Sequence, residues 1–116
     1  MKSIKKLQQE VDDWIKNHGV RYFNPVTNAA ILAEETGEVT GLIARMYGEQ
    51  SFKQPTKEAE AKERLSEELA DVLFVLSCLA NQTGIDLEMA FDQKMLKRTQ
   101  RDNQRHKNNP KLHGEQ

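Results

Sequence analysis

Five acids stand out by type and spacing. Glu34, Glu35 and Glu38 fall in one short stretch, "EETGE", and Glu68 and Asp71 close a second, "ELAD". Each stretch also carries apolar residues at helical spacing, so the acids sit where a core is being built. With Leu32 at zero and about 100° per residue, Val39, Ile43 and Met46 make an apolar stripe. Leu42 and Ile31 widen it on one side. Glu35 then falls about 60° from Leu32, inside the stripe, Glu38 at about 120°, on its flank, and Glu34 at about 160°, beyond it. With Leu65 at zero, Leu69, Val72, Leu76 and Leu79 form the second stripe, with Glu68 at about 60° and Asp71 at about 120°.

Two i,i+3 acid pairs at matching angles, Glu35/Glu38 and Glu68/Asp71, can converge at the edge of a core if the stripes pack together. Four uncompensated carboxylates there repel one another and lose hydration. Protonation or a nearby Lys or Arg could relieve this; a hard divalent cation is the more economical solution. Oxygen-only ligands suit Mg²⁺ or Mn²⁺, with positions left open for water and a substrate phosphate. A single helical glutamate is usually solvated surface, and Glu34, Glu58, Glu60, Glu63 and Glu67 could all be so. A di-iron carboxylate site is disfavoured, because none of His18, His106 and His113 completes a Glu-x-x-His pair. No Ser/His or Cys/His pair and no lysine-bearing glycine loop is present. Gly37 and Gly41 lie within a helical pattern, and Cys78 within an apolar one.

The elements that must position these acids are helices. Residues 3–18 carry Ile4, Leu7, Val11, Trp14 and Ile15 at helical spacing and end at His18-Gly19. A second helix starts at Asn24-Pro25, cap and first position, runs to about Tyr47 and stops at Gly48. Residues 48–57 read as a loop. A third helix spans about Glu58 to Gln82 and ends at Thr83-Gly84. Asp86 caps a fourth, reaching roughly Arg105. "DVLFVLSCLA" could pass for a buried strand, but it continues a long helical pattern. The expectation is an all-α, four-helix, bundle-like and oligomeric fold, with one domain over 1–107 and a frayed or disordered tail over 108–116.

The 116-residue length holds one modest core, with help expected from association. Hydrophobic residues make up 37% of the chain and charged residues 30%. That balance fits a soluble helical domain. One cysteine excludes a disulfide framework within the chain and a cysteine-based zinc site. There is neither a signal-peptide core nor a membrane-length apolar run, so the expected place is the cytoplasm and no membrane partner is expected. Net charge is −1 but uneven: residues 30–71 hold ten acids and five bases, residues 92–116 three acids and seven bases. An acidic middle and a basic end suit a metal-bound phosphate ligand, and equally a self-associating helical protein. Nucleic-acid binding is disfavoured, because the basic end has no interleaved aromatics.

The acids and their context resemble the MazG-like nucleoside triphosphate pyrophosphohydrolases of the all-α NTP pyrophosphatase superfamily. That signature, Glu-Glu-x-x-Glu on one helix and Glu-x-x-Asp on the next, is matched by Glu34, Glu35, Glu38, Glu68 and Asp71 within "LAEETGEVTGL" and "SEELADVLFVLSCLA". The resemblance covers roughly residues 20–101 and is to short, single-domain members of the YpjD type. It implies hydrolysis of a nucleoside triphosphate between the α- and β-phosphates, a part in nucleotide-pool housecleaning, and Mg²⁺ (or Mn²⁺) held by Glu35, Glu38, Glu68 and Asp71. Glu34 and Glu38 are the candidates for orienting or deprotonating water. Lys94 matches a family lysine near the phosphates; Arg98 stands where the family often has Asn, and Arg101 follows. The resemblance also implies a homodimer or tetramer with sites completed between subunits. Tyr22 and Phe23, in a loop, are base-stacking candidates, whereas Trp14 reads as core. The alternatives are a helical binding or scaffold protein without chemistry, a dimeric dUTPase, or a phosphoribosyl-ATP pyrophosphohydrolase.

Overall fold

The computed structural model describes residues 1–114. The order is α1 (Ile4–Trp14), a π-helical turn (Ile15–Gly19), α2 (Pro25–Tyr47), α3 (Glu58–Gln82), α4 (Leu87–Asp102) and a 3-10 turn (Pro110–Leu112). The described residues contain no strand. The last two residues of the expected tail lie outside the described residues.

Local chemistry sets most of the boundaries. The Ser3, Asn24 and Asp86 side chains accept hydrogen bonds from the backbone N–H groups of Lys6, Thr27 and Met89, which opens α1, α2 and α4. The Glu60 carboxylate accepts from Lys57 N–H at the start of α3 (3.0 Å). Gly84 ends α3 in the left-handed conformation, with φ at 72°. Ile85 N–H then returns to the Ala80 carbonyl (2.8 Å). α4 is shorter than its periodicity implies. The Asp102 carboxylate gathers Arg101, Arg105 and His106, and Arg105 N–H bonds Asp102 O, so the chain tightens into turns.

The expected first helix is divided. After Trp14 the chain widens into the π turn, then reverses at Val20 (φ 73°, ψ −59°), where Arg21 N–H donates to Gly19 O at 2.8 Å. That is a γ-turn of the strained kind, on a β-branched residue.

α2 and α3 pair antiparallel: Asn28 bonds Gln82 at one end, and Glu35 lies beside Glu68 and Asp71 further along. α1 lies on α3, where Val11, Ile15 and Cys78 form the core with Tyr22 and Phe74 against it. A part-buried polar network locks this arrangement. The Gln8 amide donates to Asn81 Oδ1 and Ile85 O and accepts from Leu87 N–H; the Asn81 amide donates to Gln8 O and Tyr22 Oη; the Tyr22 hydroxyl donates to Asp12. α4 packs chiefly on α1 and buries no residue. The stripe on α3 is only partly covered within one chain: Val72 and Leu79 are half-buried, Leu69 and Leu76 exposed.

Candidate metal centre

The antiparallel α2/α3 pair brings Glu35, Glu68 and Asp71 together. One carboxylate oxygen from each lies within 4.8 Å of the others. Glu35 and Glu68 are half-buried, and the Oε2 atom of each is out of contact with solvent and without a hydrogen-bond partner. A buried acceptor left unpaired is costly, and more so when charged. Burial, followed by the neighbouring Asp71 and Glu68 charges, pushes the Glu35 carboxyl above its ordinary pKa. The orphaned oxygens and the all-oxygen donor set fit a hard divalent cation, which would satisfy all three groups at once.

The other two motif acids stand apart. Glu34 is exposed on the outer side of α2. Glu38, also exposed, lies one turn beyond Glu35 and lines a cavity of about 410 Å³ with Gly41, Arg45, Phe52, Lys53 and Arg64. A second cavity, of about 430 Å³, lies further along the helix pair, towards Asn28 and Cys78. Glu35 and Asp71 reach it, and Tyr22, Phe23, Trp14 and Phe74 supply aromatic wall. Both base-stacking candidates therefore face space next to the acids. The Tyr22 hydroxyl is occupied by Asp12 and Asn81, so its free surface is the ring. Trp14 is half exposed and meets Phe74 edge-on at 5.8 Å, giving it a place in the cavity wall as well as beside the core.

Lys94, Arg98 and Arg101 are exposed on α4 and line neither cavity. Arg101 is held by both oxygens of Asp102 (2.9 and 2.7 Å). Two features were missed in the sequence. Asn28, buried on α2, lines the aromatic cavity and donates to Gln82. The cations of the other cavity come partly from the 48–57 loop, whose path periodicity does not describe; the helical Gly37/Gly41 pair was the available signal.

Antiparallel helices presenting clustered carboxylates between an aromatic and a cationic cavity form a class of site suited to a metal-bound phosphate ligand. The family model for the MazG nucleotide pyrophosphohydrolase domain matches residues 23–106, and the chain belongs to this family. Its relatives include the YpjD protein of Bacillus subtilis (strain 168), 42% identical over 104 residues and covering 90% of each chain. The crystal structure of YPJD from Bacillus subtilis superposes with a TM-score of 0.73 at 40% identity, over 88% of this chain and 98% of that one. The crystal structure of the Bacillus-conserved MazG protein, a nucleotide pyrophosphohydrolase, gives 0.69 at 38% identity, over 84% and 90%.

Proposed function

We propose that this chain is a Mg²⁺-dependent pyrophosphohydrolase that cleaves nucleoside triphosphates between the α- and β-phosphates, giving the monophosphate and pyrophosphate, as cytoplasmic housecleaning of the nucleotide pool. Mn²⁺ is the expected substitute. The observation that carries the reading is the triad of Glu35, Glu68 and Asp71, with two buried oxygens lacking any partner. These three residues would hold the ion, and Glu38, one turn along α2, would complete the set. When bound, the cation neutralises phosphate charge and acidifies water.

The chain's own groups do the rest. Glu38 is the acceptor for the proton of the attacking water, with Glu34 in an outer, orienting role. The water oxygen bonds to a phosphorus flanking the α–β bridge, the bridging P–O bond breaks, and the bridging oxygen leaves with the electron pair. Tyr22 and Phe23 give the base an apolar ring surface. Lys94, Arg98 and Arg101 would reach phosphate only if a second copy brings them, since they line neither cavity.

The test is a panel of canonical and modified nucleoside triphosphates with Mg²⁺ or Mn²⁺ and full product identification. Monophosphate with pyrophosphate is expected from at least one of them. Glu35→Gln and Asp71→Asn should each lower kcat/KM by at least about 100-fold, because each removes a charged ligand. No product across the panel, or full activity in both variants, would sink the reading.

A further inference from the structure

We infer that the cavity beside Glu38 is a polyphosphate pocket, receiving the pyrophosphate end of the substrate through Arg45, Lys53 and Arg64. This assignment rests on the hydrolase reading above and adds the substrate's direction and the residues that read its charge.

The first argument is charge placement. Residues 30–71 are acidic overall, with ten acids and five bases. Three of those five bases, Arg45, Lys53 and Arg64, nevertheless line this one cavity, against a single carboxylate, Glu38. None of the three is paired with a carboxylate among the described residues. Arg64 lies over the Phe52 ring at 6.0 Å, and Arg45 Nη1 donates to Gly41 O at 3.1 Å. Each guanidinium is thus steadied on one side and keeps donors for an anion. Planar guanidinium donors match phosphate oxygens.

The second argument is space. α2 carries Gly37 and Gly41 on the face lining this cavity. Each costs a helix interior about 1 kcal/mol relative to Ala, so helix stability does not explain the pair. A Cβ on Gly41 would come within 3.3 Å of Arg45 Nη1, while one on Gly37 would meet nothing within 4 Å and would simply occupy the opening. The glycines leave a floor of bare backbone and let Arg45 fold back over it.

The third argument is order along the helices. The aromatic cavity touches Asn28, Ile31 and Glu35 on α2 and Asp71, Phe74 and Cys78 on α3. The cationic cavity touches Glu38, Gly41 and Arg45 on α2 and Arg64 on α3. Because the helices are antiparallel, both sets progress the same way, and the carboxylate triad lies between them. A nucleotide laid along the α2/α3 seam would have its base among the rings, its scissile bridge at the acids and its terminal phosphates among the cations.

The experiment measures inhibition by inorganic pyrophosphate and by the product monophosphate, and direct calorimetric binding of pyrophosphate with and without Mg²⁺. It compares the wild type, Lys53→Gln/Arg64→Gln, and a control with equal charge removed outside the cavity, Lys62→Gln/Lys107→Gln. All four target side chains are exposed, and thermal melts verify folding. The cavity variant should bind pyrophosphate at least about tenfold more weakly, the scale of lost charge-assisted hydrogen bonds, with monophosphate inhibition unchanged. Equal pyrophosphate affinity in the two double variants overturns the pocket and leaves the hydrolase reading standing. Selective loss of pyrophosphate binding by a chain that hydrolyses no nucleotide does the reverse.

Discussion

At the scale of the residue, the decisive group is Glu35. Its folded pKa is raised, so the folded state binds its proton more tightly than the unfolded chain does. The associated stabilisation is complete below the unfolded value, about 4.3, and is lost as pH rises through the folded value. Metal-free protein should therefore become less stable from about pH 4 towards neutrality, as far as this group is concerned. Asp12 acts oppositely. Lys16 and the Tyr22 hydroxyl hold its pKa down. Its contribution is present above about 3.9 and is lost as pH falls through the folded value. Denaturation curves with a chelator should show Glu35→Gln flattening the loss towards neutral pH. Adding Mg²⁺ at about 100 times its Kd should stabilise the wild type by about 2.7 kcal/mol and Glu35→Gln far less. An equal gain in both would remove Glu35 from the metal set.

At the scale of the element, the connection from α1 to α2 is the informative one. Val20 occupies a strained γ-turn while the residue is 87% exposed, so almost no packing offsets the strain. Such backbone strain costs about 1–3 kcal/mol, against about 0.5–1 kcal/mol for the added flexibility of glycine. Val20→Gly should therefore raise stability by about 1 kcal/mol in denaturant melts, and a loss of that size would contradict the strain. The turn aims Arg21, Tyr22 and Phe23 at the aromatic cavity, so the same variant should loosen nucleotide binding if the strain is what holds that wall. The helix limits at Asn24-Pro25, Gly48, Thr83-Gly84 and Asp86 were legible because caps are local chemistry. The π turn was not, because nothing in the spacing of Ile15 to Gly19 distinguishes it from continued α-helix.

At the scale of the whole molecule, one chain leaves much undone. The Cα radius of gyration is 18.2 Å. A compact domain of similar length has a radius of about 13 Å. Leu69, Leu73, Leu76, Phe91 and Leu96 are each at least 40% exposed, and α4 buries nothing. Covering these surfaces with a second copy is the solution we propose, and it would also bring α4 cations towards a neighbouring acid cluster. Sedimentation should show a dimer or tetramer, and Leu73→Glu/Leu76→Glu should shift it to monomer with a lower melting temperature. A monomeric wild type at working concentrations would refute the assembly, though not the metal site.

The sequence by itself determined the four helical segments, the caps at Asn24 and Asp86 and the angular position of each acid, because these follow from the helical repeat and from groups within a turn of one another. It also carried the family, through two acid motifs in their apolar settings. Only the tertiary structure decided which acids meet. Glu35 reaches Glu68 and Asp71 across the α2/α3 seam, while Glu38, on the flank of the stripe like Asp71 on its own helix, faces the cationic cavity one turn away. It also decided that Lys53 and Phe52, from an aperiodic loop, join Arg45 and Arg64. Such meetings depend on the axial register of two helices and on the path of a loop, and neither is encoded in local spacing.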